Sequence, residues 1–333
     1  MITPASDNRD SASWPEWKCP GHLEVLDESC GELICPGGCR YAVKEDIPRF
    51  ISSTSYADAF GAQWKRYRLT QLDSYTGVGI SERRVRRNVG EELWGQLEGR
   101  HVLEAGCGAG RFTEILLHRG AFVTSIDLSE AVDANVCNFP VGGKHRVAQA
   151  DILSLPFGPR SFDVAFCLGV IQHTPDPTLA ITRLFDQVKP GGWLIIDQYT
   201  YHLSRHTKTA PLFRAVLRRV DPETGVKATE RLVDLFLPLH KAMRDIRFGQ
   251  MLLSRLSPVQ AYYQAYPELS DDVLREWALL DTHDALTDWH RHFSTARQTR
   301  RLLERLGAEI IRCERQGYVV EARARRPASR FLS

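Results

Sequence analysis

Three parts of this 333-residue chain hold residue types at spacings suited to chemistry. The first is "CPGHLEVLDESCGELICPGGC", residues 19–39, with four of the eight cysteines. Cys19-x-x-His22 and Cys35-x-x-x-Cys39 form two knuckles on Pro-Gly and Gly-Gly backbone, the donor types that tetrahedral zinc takes. Cys30 is a spare thiol that could replace His22 as the fourth donor. Disulfides are the competing use, disfavoured in a reducing compartment. The second part is "HVLEAGCGAGRFTEILL". Glu104 ends an apolar run, and Gly106, Gly108 and Gly110 alternate after it. Such a tight turn lets a ligand touch backbone. A carboxylate at Glu104 repels phosphate and suits a cationic ligand. Asp127, in "VTSIDLS", can accept hydrogen bonds from ribose hydroxyls; its helix-capping role with Glu130 can coexist. The third part is histidine-rich. His173 lies in "GVIQHTPDP", and Asp281, His283, Asp284, His290 and His292 lie in "LLDTHDALTDWHRHFS". Histidine titrates where a general base must.

The elements around these residues alternate. "HVLEAG", "AFVTSID", "VAQAD", "SFDVAFCLGV" and "GWLIIDQY" have the pattern of buried strands, separated by helices such as "RFTEILLHRG" and "PTLAITRLFDQVK", the latter closed by "PGG". Strand–helix alternation implies a parallel sheet. Two last strands, "AEIIRCE" and "GYVVEARAR", are close enough to pair antiparallel. The expected fold is α/β: a doubly wound, Rossmann-like, seven-stranded, mostly parallel sheet with an antiparallel last strand, a helical cap insertion and a small N-terminal Cys-rich module. The expected divisions are a flexible tail (1–17), the Cys-rich module (18–51), a helical lead-in (52–98), the core (99–201), the cap (202–292, with breaks at its prolines, Pro238 among them) and the final helix and strand pair (293–326).

At these residues the chain resembles the class I S-adenosylmethionine-dependent methyltransferases. "LEAGCGAG" is similar to their first motif, "AQADILSLPF" to the stretch that holds adenine, "SFDVAFCLGVIQHTPDP" to the fourth-strand motif and "VKPGGWLIIDQ" to the fifth-strand motif. The resemblance covers about residues 100–200. It implies a cofactor, S-adenosyl-L-methionine, held by Glu104, Gly106, Gly108, Gly110, Asp127, Leu128, Asp151, Ile152 and Leu168. In "FGAQWKRYRLTQLDSYTG" and "SERRVRR", Trp64, Tyr75 and Arg83 or Arg84 are expected to cap the donor, with an arginine on its carboxylate. His173 and His283 are the candidate catalytic bases, and Asp281 a pocket residue in a stretch that resembles a substrate lid. "CRYAVKEDIPRFI" resembles the end of zinc-ribbon modules that precede certain methyltransferases. It implies structural Zn2+ on Cys19, His22, Cys35 and Cys39, although His22 stands where that module has cysteine.

Methyl transfer to a small-molecule acceptor, in biosynthesis of a secondary metabolite or glycan component, is the expected function. The alternative is an RNA methyltransferase acting on a ribosomal RNA base, with the Cys-rich module contacting RNA. The net charge of +2 gives no chain-wide polyanion footprint, although "HLSRHTKTAPLFRAVLRRV" is locally basic. The N-terminal segment lacks the apolar run of a secretory signal, and the longest apolar runs are too short to span a bilayer. A cytoplasmic protein with no membrane partner is expected. Cys107, Cys137, Cys167 and Cys313 are expected to be buried small hydrophobes.

Overall fold

The computed structural model describes residues 13–51, 63–202 and 208–328. Most of the expected N-terminal tail, the first part of the lead-in, the start of the cap and the end of the C-terminal tail lie outside the described residues.

The Cys-rich module is a small antiparallel sheet: β1 (Asp27–Ser29), β2 (Glu32–Ile34), β3 (Arg40–Lys44) and β4 (Ile47–Pro48). Cys30 and Gly31 turn β1 into β2 with positive φ at both positions (52° and 77°), as a tight hairpin requires. Two backbone joints tie the module to the core. Lys18 N–H donates to the Pro156 carbonyl (2.9 Å), and Phe50 N–H donates to the Gln149 carbonyl (2.8 Å). Trp17 stacks between these joints, 5.1 Å from the Phe157 ring, with the Arg146 guanidinium 4.2 Å from its own ring. Cys19, Leu33, Cys35 and Phe50 share one apolar cluster with Ile152, Leu155 and Phe157, so the module has no separate core.

After α1 (Asp73–Thr76) and α2 (Ile80–Trp94) come β5 (His101–Ala105), α3 (Thr113–His118), β6 (Phe122–Asp127), α4 (Ala131–Asn138), β7 (His145–Gln149) and β8 (Phe162–Cys167). A 3₁₀ turn (Ile171–His173), α5 (Pro177–Gln187) and β9 (Val188–Tyr199) follow. The cap consists of α6 (Ala210–Leu217), α7 (Pro222–Ala242), α8 (Arg247–Leu256) and α9 (Asp271–Thr287). The chain closes with α10 (Ala296–Arg305), β10 (Glu309–Gln316) and β11 (Val319–Arg325).

Seven strands form the main sheet in the order β10-β11-β9-β8-β5-β6-β7. β5 to β9 run parallel, and β11 is antiparallel to both of its neighbours. β5 is buried at every residue, as a central parallel strand covered on both faces must be. The strand order reverses at β5, so the carboxyl ends of β5 and β8 border the crevice where such sheets bind ligands.

Local signals explain several boundaries. The Asp176 carboxylate caps α5, accepting from Thr178 N–H (2.9 Å) and Leu179 N–H (3.0 Å). Thr295 and Gln298 form a capping box at α10. Three expectations are corrected. The "PGG" segment lies inside β9 and does not close the preceding helix, which ends at Gln187. Pro238 lies within α7, where packing through Val233 and Leu237 outweighs one lost backbone bond. Cys137 is exposed, while Cys107, Cys167 and Cys313 are buried. Among the described residues, no helix is long and apolar enough to cross a membrane.

Candidate functional site

The loop after β5 is fixed by atoms that leave no room for a side chain. Gly106 has φ 76°, and a Cβ there would stand 2.2 Å from Val170 Cγ2. Its N–H and that of Cys107 both donate to the Ile126 carbonyl (2.7 and 3.0 Å). Gly108 N–H donates to Asp127 Oδ2 (3.0 Å), while Ser129 donates its N–H (2.9 Å) and Oγ–H (2.7 Å) to Oδ1. The loop and the acid at the end of β6 therefore hold one another. Burial keeps the Asp127 carboxyl above its usual range, against the pull of those bonds. Gly110 serves packing, since a Cβ there would lie 2.7 Å from the Phe139 ring.

Glu104 sits beneath the loop. Thr113 Oγ1 (2.6 Å) and Ser125 Oγ (2.9 Å) donate to its Oε2, and its Oε1 is buried with no hydrogen-bond partner. Burial pushes this carboxyl up to about 7. Such an acid beneath the loop suits a cationic ligand group better than a phosphate, but neither Glu104 nor Gly110 lines the cavity above, which corrects their placing in direct contact with a ligand.

Above the loop opens a cavity of about 730 Å³. Gly106, Gly108, Asp127, Leu128, Asp151, Ile152 and Leu168 line one end. Asp151 accepts from Leu153 N–H (2.9 Å), so it caps a turn and faces the cavity as well. Trp64 stands over Gly108, 3.3 Å from the place of a Cβ. Arg84 also lines the cavity; it donates to Asp197 Oδ2 (2.7 Å), whose Oδ1 accepts from Gly169 N–H (2.6 Å). Arg111 belongs to the site and was absent from the sequence expectations. It donates to Ser81 Oγ (3.0 Å) and Gln71 Oε1 (3.2 Å), and burial brings it down to about 10. Its only signal was its place directly after Gly110. Tyr75 is corrected. The short α1 turns its ring to solvent, where its phenol donates to Glu276 (3.4 Å), and it does not line the cavity.

The other end of the cavity is acidic, basic and aromatic together. His173 ends the turn after β8. Its Nδ1 lies 3.2 Å from Asp288 Oδ2, and its Nε2 lies 3.9 Å from Asp284 Oδ2. Arg214 Nε donates to Asp288 Oδ1 (2.6 Å). Burial pulls the His173 pKa down, but Asp284 and Asp288 outweigh it and hold it above the ordinary value. Burial pushes Asp284 up to about 6 against the pull of His173. Asp288 is held low, because His173, Arg291 and Arg214 outweigh its burial. Tyr199, Tyr262, Tyr266 and Phe293 complete the walls.

The segment around Asp281 is a helix rather than a returning loop. On α9, Asp281, Asp284 and Ala285 face the cavity. Asp281 accepts from Tyr262 Oη and from Gln71 Nε2 (3.1 Å). His283 is one residue from that face and turns away from it. Its Nδ1 meets Thr229 Oγ1 of α7 (3.3 Å), and it does not line the cavity. The placing of His283 beside the reacting centre is thus corrected by helical geometry. His290 and His292 also lie off the cavity, their rings stacked 6.1 Å apart.

In the N-terminal module His22 Nδ1 lies 3.6 Å from Cys19 Sγ, 3.3 Å from Cys35 Sγ and 3.7 Å from Cys39 Sγ. Tyr41 Oη is 3.2 Å from Cys19 Sγ, and Glu24 Oε2 is 3.2 Å from Cys35 Sγ. Burial pushes the Cys19 thiol up, but bonds from Tyr41 and from the His22 and Gly21 backbone bring it to about 6. Cys30 is exposed at the β1–β2 hairpin tip and outside this cluster, which corrects its reading as an alternative fourth donor. No residue of the module lines the cavity.

Residues 103–196, which hold the glycine loop, Asp127 and His173, match the model of one known family, the methyltransferase domain. Over these residues the chain is similar to a methyltransferase domain. Across this domain the chain is 39% identical over 100 residues to a ubiquinone biosynthesis O-methyltransferase of Pseudomonas fluorescens, covering 29% of this chain and 43% of that one. It is 34% identical over 117 residues to the enzyme of that name from Leptothrix cholodnii, covering 34% and 50%. The chain thus spans half or less of the length of these curated relatives. Among solved structures, magnesium protoporphyrin IX methyltransferase from Synechocystis aligns with TM-score 0.45 and 16% identity, covering 81% of this chain and 96% of that one. An S-adenosylmethionine-dependent methyltransferase from Mesorhizobium loti aligns with TM-score 0.45 and 16% identity, covering 74% and 99%. Asp284, Asp288 and Arg214 lie outside the methyltransferase domain, on the cap.

Proposed function

We propose that this chain is an S-adenosylmethionine-dependent methyltransferase of small molecules, acting on an acceptor hydroxyl in a biosynthetic role. The observation that carries the reading is His173, held between two cap carboxylates at the edge of the cavity that the glycine loop and Asp127 line. When bound, S-adenosylmethionine supplies a methyl group already activated on sulfonium. Asp127 would accept from its ribose hydroxyls, Ile152 and Leu128 would cover its adenine, and Arg84 or Arg111 would pair with its carboxylate, with Glu104 as the buried acid beneath the loop. His173 Nε2 takes the acceptor proton, and Asp288 at Nδ1 fixes the ring tautomer and stabilises the imidazolium. The cap aromatics exclude water and align the acceptor. A cavity of about 730 Å³ walled by these aromatics suits a small molecule better than an RNA base.

We propose also that Cys19, His22, Cys35 and Cys39 hold a structural zinc ion. Tetrahedral Zn–S and Zn–N bonds place donors roughly 3.5 Å apart, and the three sulfurs lie 3.3 to 3.7 Å from His22 Nδ1. A zinc there would take thiolates and imidazole and fix both knuckles to the core.

Purified protein incubated with methyl-labelled S-adenosylmethionine, once with a metabolite extract and once with total RNA, tests the leading reading. Label is expected in the small-molecule fraction. Label confined to RNA would overturn it.

A further inference from the structure

Helix α8 turns most of its large apolar residues to solvent. Phe248, Met251, Leu252 and Leu256 lie along one stripe of it, and all four are exposed, Phe248 at 70%. Its inward side carries half-buried Leu253 and polar Gln250, which donates to the His240 carbonyl and meets His240 Nδ1 (3.1 Å). A helix that folds only against its own protein buries the apolar stripe and exposes the polar one. Two neighbours repeat the pattern. On α7, Leu235 and Leu239 are exposed at helical spacing, with Met243 just beyond its end, and on α6 Leu212 and Val216 are exposed. Thr209, at the start of α6, donates to the Leu256 carbonyl (2.7 Å) at the end of α8, so these two helices meet at their ends.

Charge identifies the occupant. Between residues 208 and 256 there are ten Lys or Arg against five Asp or Glu, whereas the whole chain carries only +2. Arg219, Lys241, Arg244 and Arg247 are exposed around the apolar faces, Lys241 paired with Asp271 (2.6 Å) and Arg244 with Asp245 (3.3 Å). Apolar stripes framed by basic residues are the pattern of a helix lying in the boundary of an anionic bilayer. We propose that α6, α7 and α8 dock this protein on an anionic lipid surface. The expectation of no membrane partner rested on the absence of a spanning segment, and an interfacial helix needs none. On its other side α6 lines the cavity through Ala210, Pro211 and Arg214. The docking surface and the acceptor chamber thus share one wall, and an amphiphilic acceptor could pass between them.

The test needs no methyl acceptor and is independent of the reaction. The full chain is floated with vesicles of phosphatidylglycerol and phosphatidylcholine, or of phosphatidylcholine alone, at low and high salt. Stronger binding to the anionic vesicles, weakened by salt, is expected. The pair Phe248→Glu and Leu252→Glu should reduce it by about tenfold or more while leaving the thermal transition unchanged. In a Phe248→Trp protein, indole emission should shift blue on addition of anionic vesicles. Equal recovery with both vesicle types, or no loss in the double variant, would overturn the proposal. A salt-stable dimer in sedimentation that the double variant dissociates, with no vesicle binding, would overturn it in favour of a second copy of the chain.

Discussion

His173 Nδ1 stands 3.2 Å from a carboxylate oxygen of Asp288, which Arg214 holds from its far side at 2.6 Å. The imidazole is thereby oriented by the cap and presented by the core. The pair unites a residue of the segment that matches the methyltransferase domain with one that lies beyond it.

That pairing predicts a pH profile. The acidic neighbours raise the folded His173 pKa above its ordinary 6.5. The base must be neutral to accept a proton, so kcat/KM should rise with pH through a midpoint above 6.5. Asp288→Asn removes a carboxylate that raises the pKa, and the midpoint should move to lower pH. His173→Gln should lower kcat by about 10²- to 10⁴-fold with little change in donor affinity. A profile unmoved by Asp288→Asn would remove His173 from the role.

Glu104 predicts a pH dependence of stability with the opposite sign from an ordinary ion-paired acid. Its folded pKa is about 7, against an ordinary 4.5. The folded state therefore binds this proton more tightly, and the associated stability is fully present below 4.5 and lost as pH rises to about 7. Glu104→Gln lacks this loss. Between pH 5 and 7.5 wild type should lose about 2 kcal/mol relative to the variant, measured by denaturant titration of the ligand-free protein. Parallel stability curves for the two proteins would refute it.

Gly106→Ala should fail through sterics. The new methyl group would meet Val170 at 2.2 Å, at a φ of 76°. Left-handed strain and overpacking together cost roughly 2–5 kcal/mol, so the variant should melt earlier and bind donor poorly. Normal melting together with normal binding would contradict the close approach.

Much of the site was legible because the requirements of the loop are local. Alternating glycines, an acid ending each of two strands and a histidine after the fourth strand are signals carried within a few residues of sequence. Other features depend on three-dimensional placement. His283 and Asp284 are adjacent in sequence, yet helix α9 sends one to α7 and the other to the cavity. Tyr75 turned outward on a four-residue helix that no periodicity announces. Arg111 entered the site only because α2 and its preceding segment supply Ser81 and Gln71 beside it. Pro238 was read as a break, but tertiary packing carried α7 through it.

The proposed zinc site on Cys19, His22, Cys35 and Cys39 predicts a stoichiometry. Purified protein should contain one zinc ion per chain. Cys30→Ser should keep it, since that thiol lies at the hairpin tip. Cys19→Ser and His22→Ala should each lose zinc and melt earlier, because the module shares the apolar cluster of the core. Unchanged zinc content in both variants would refute the donor set.

The central claim is that the cavity holds S-adenosylmethionine on Asp127 and the glycine loop. Titration calorimetry of S-adenosylmethionine into wild type and Asp127→Ala addresses it directly. The account predicts one site per chain in wild type and affinity weakened by about tenfold or more in the variant, the loss expected for hydrogen bonds to a charged group. Absence of binding to folded wild type, or equal affinity in both proteins, would contradict it.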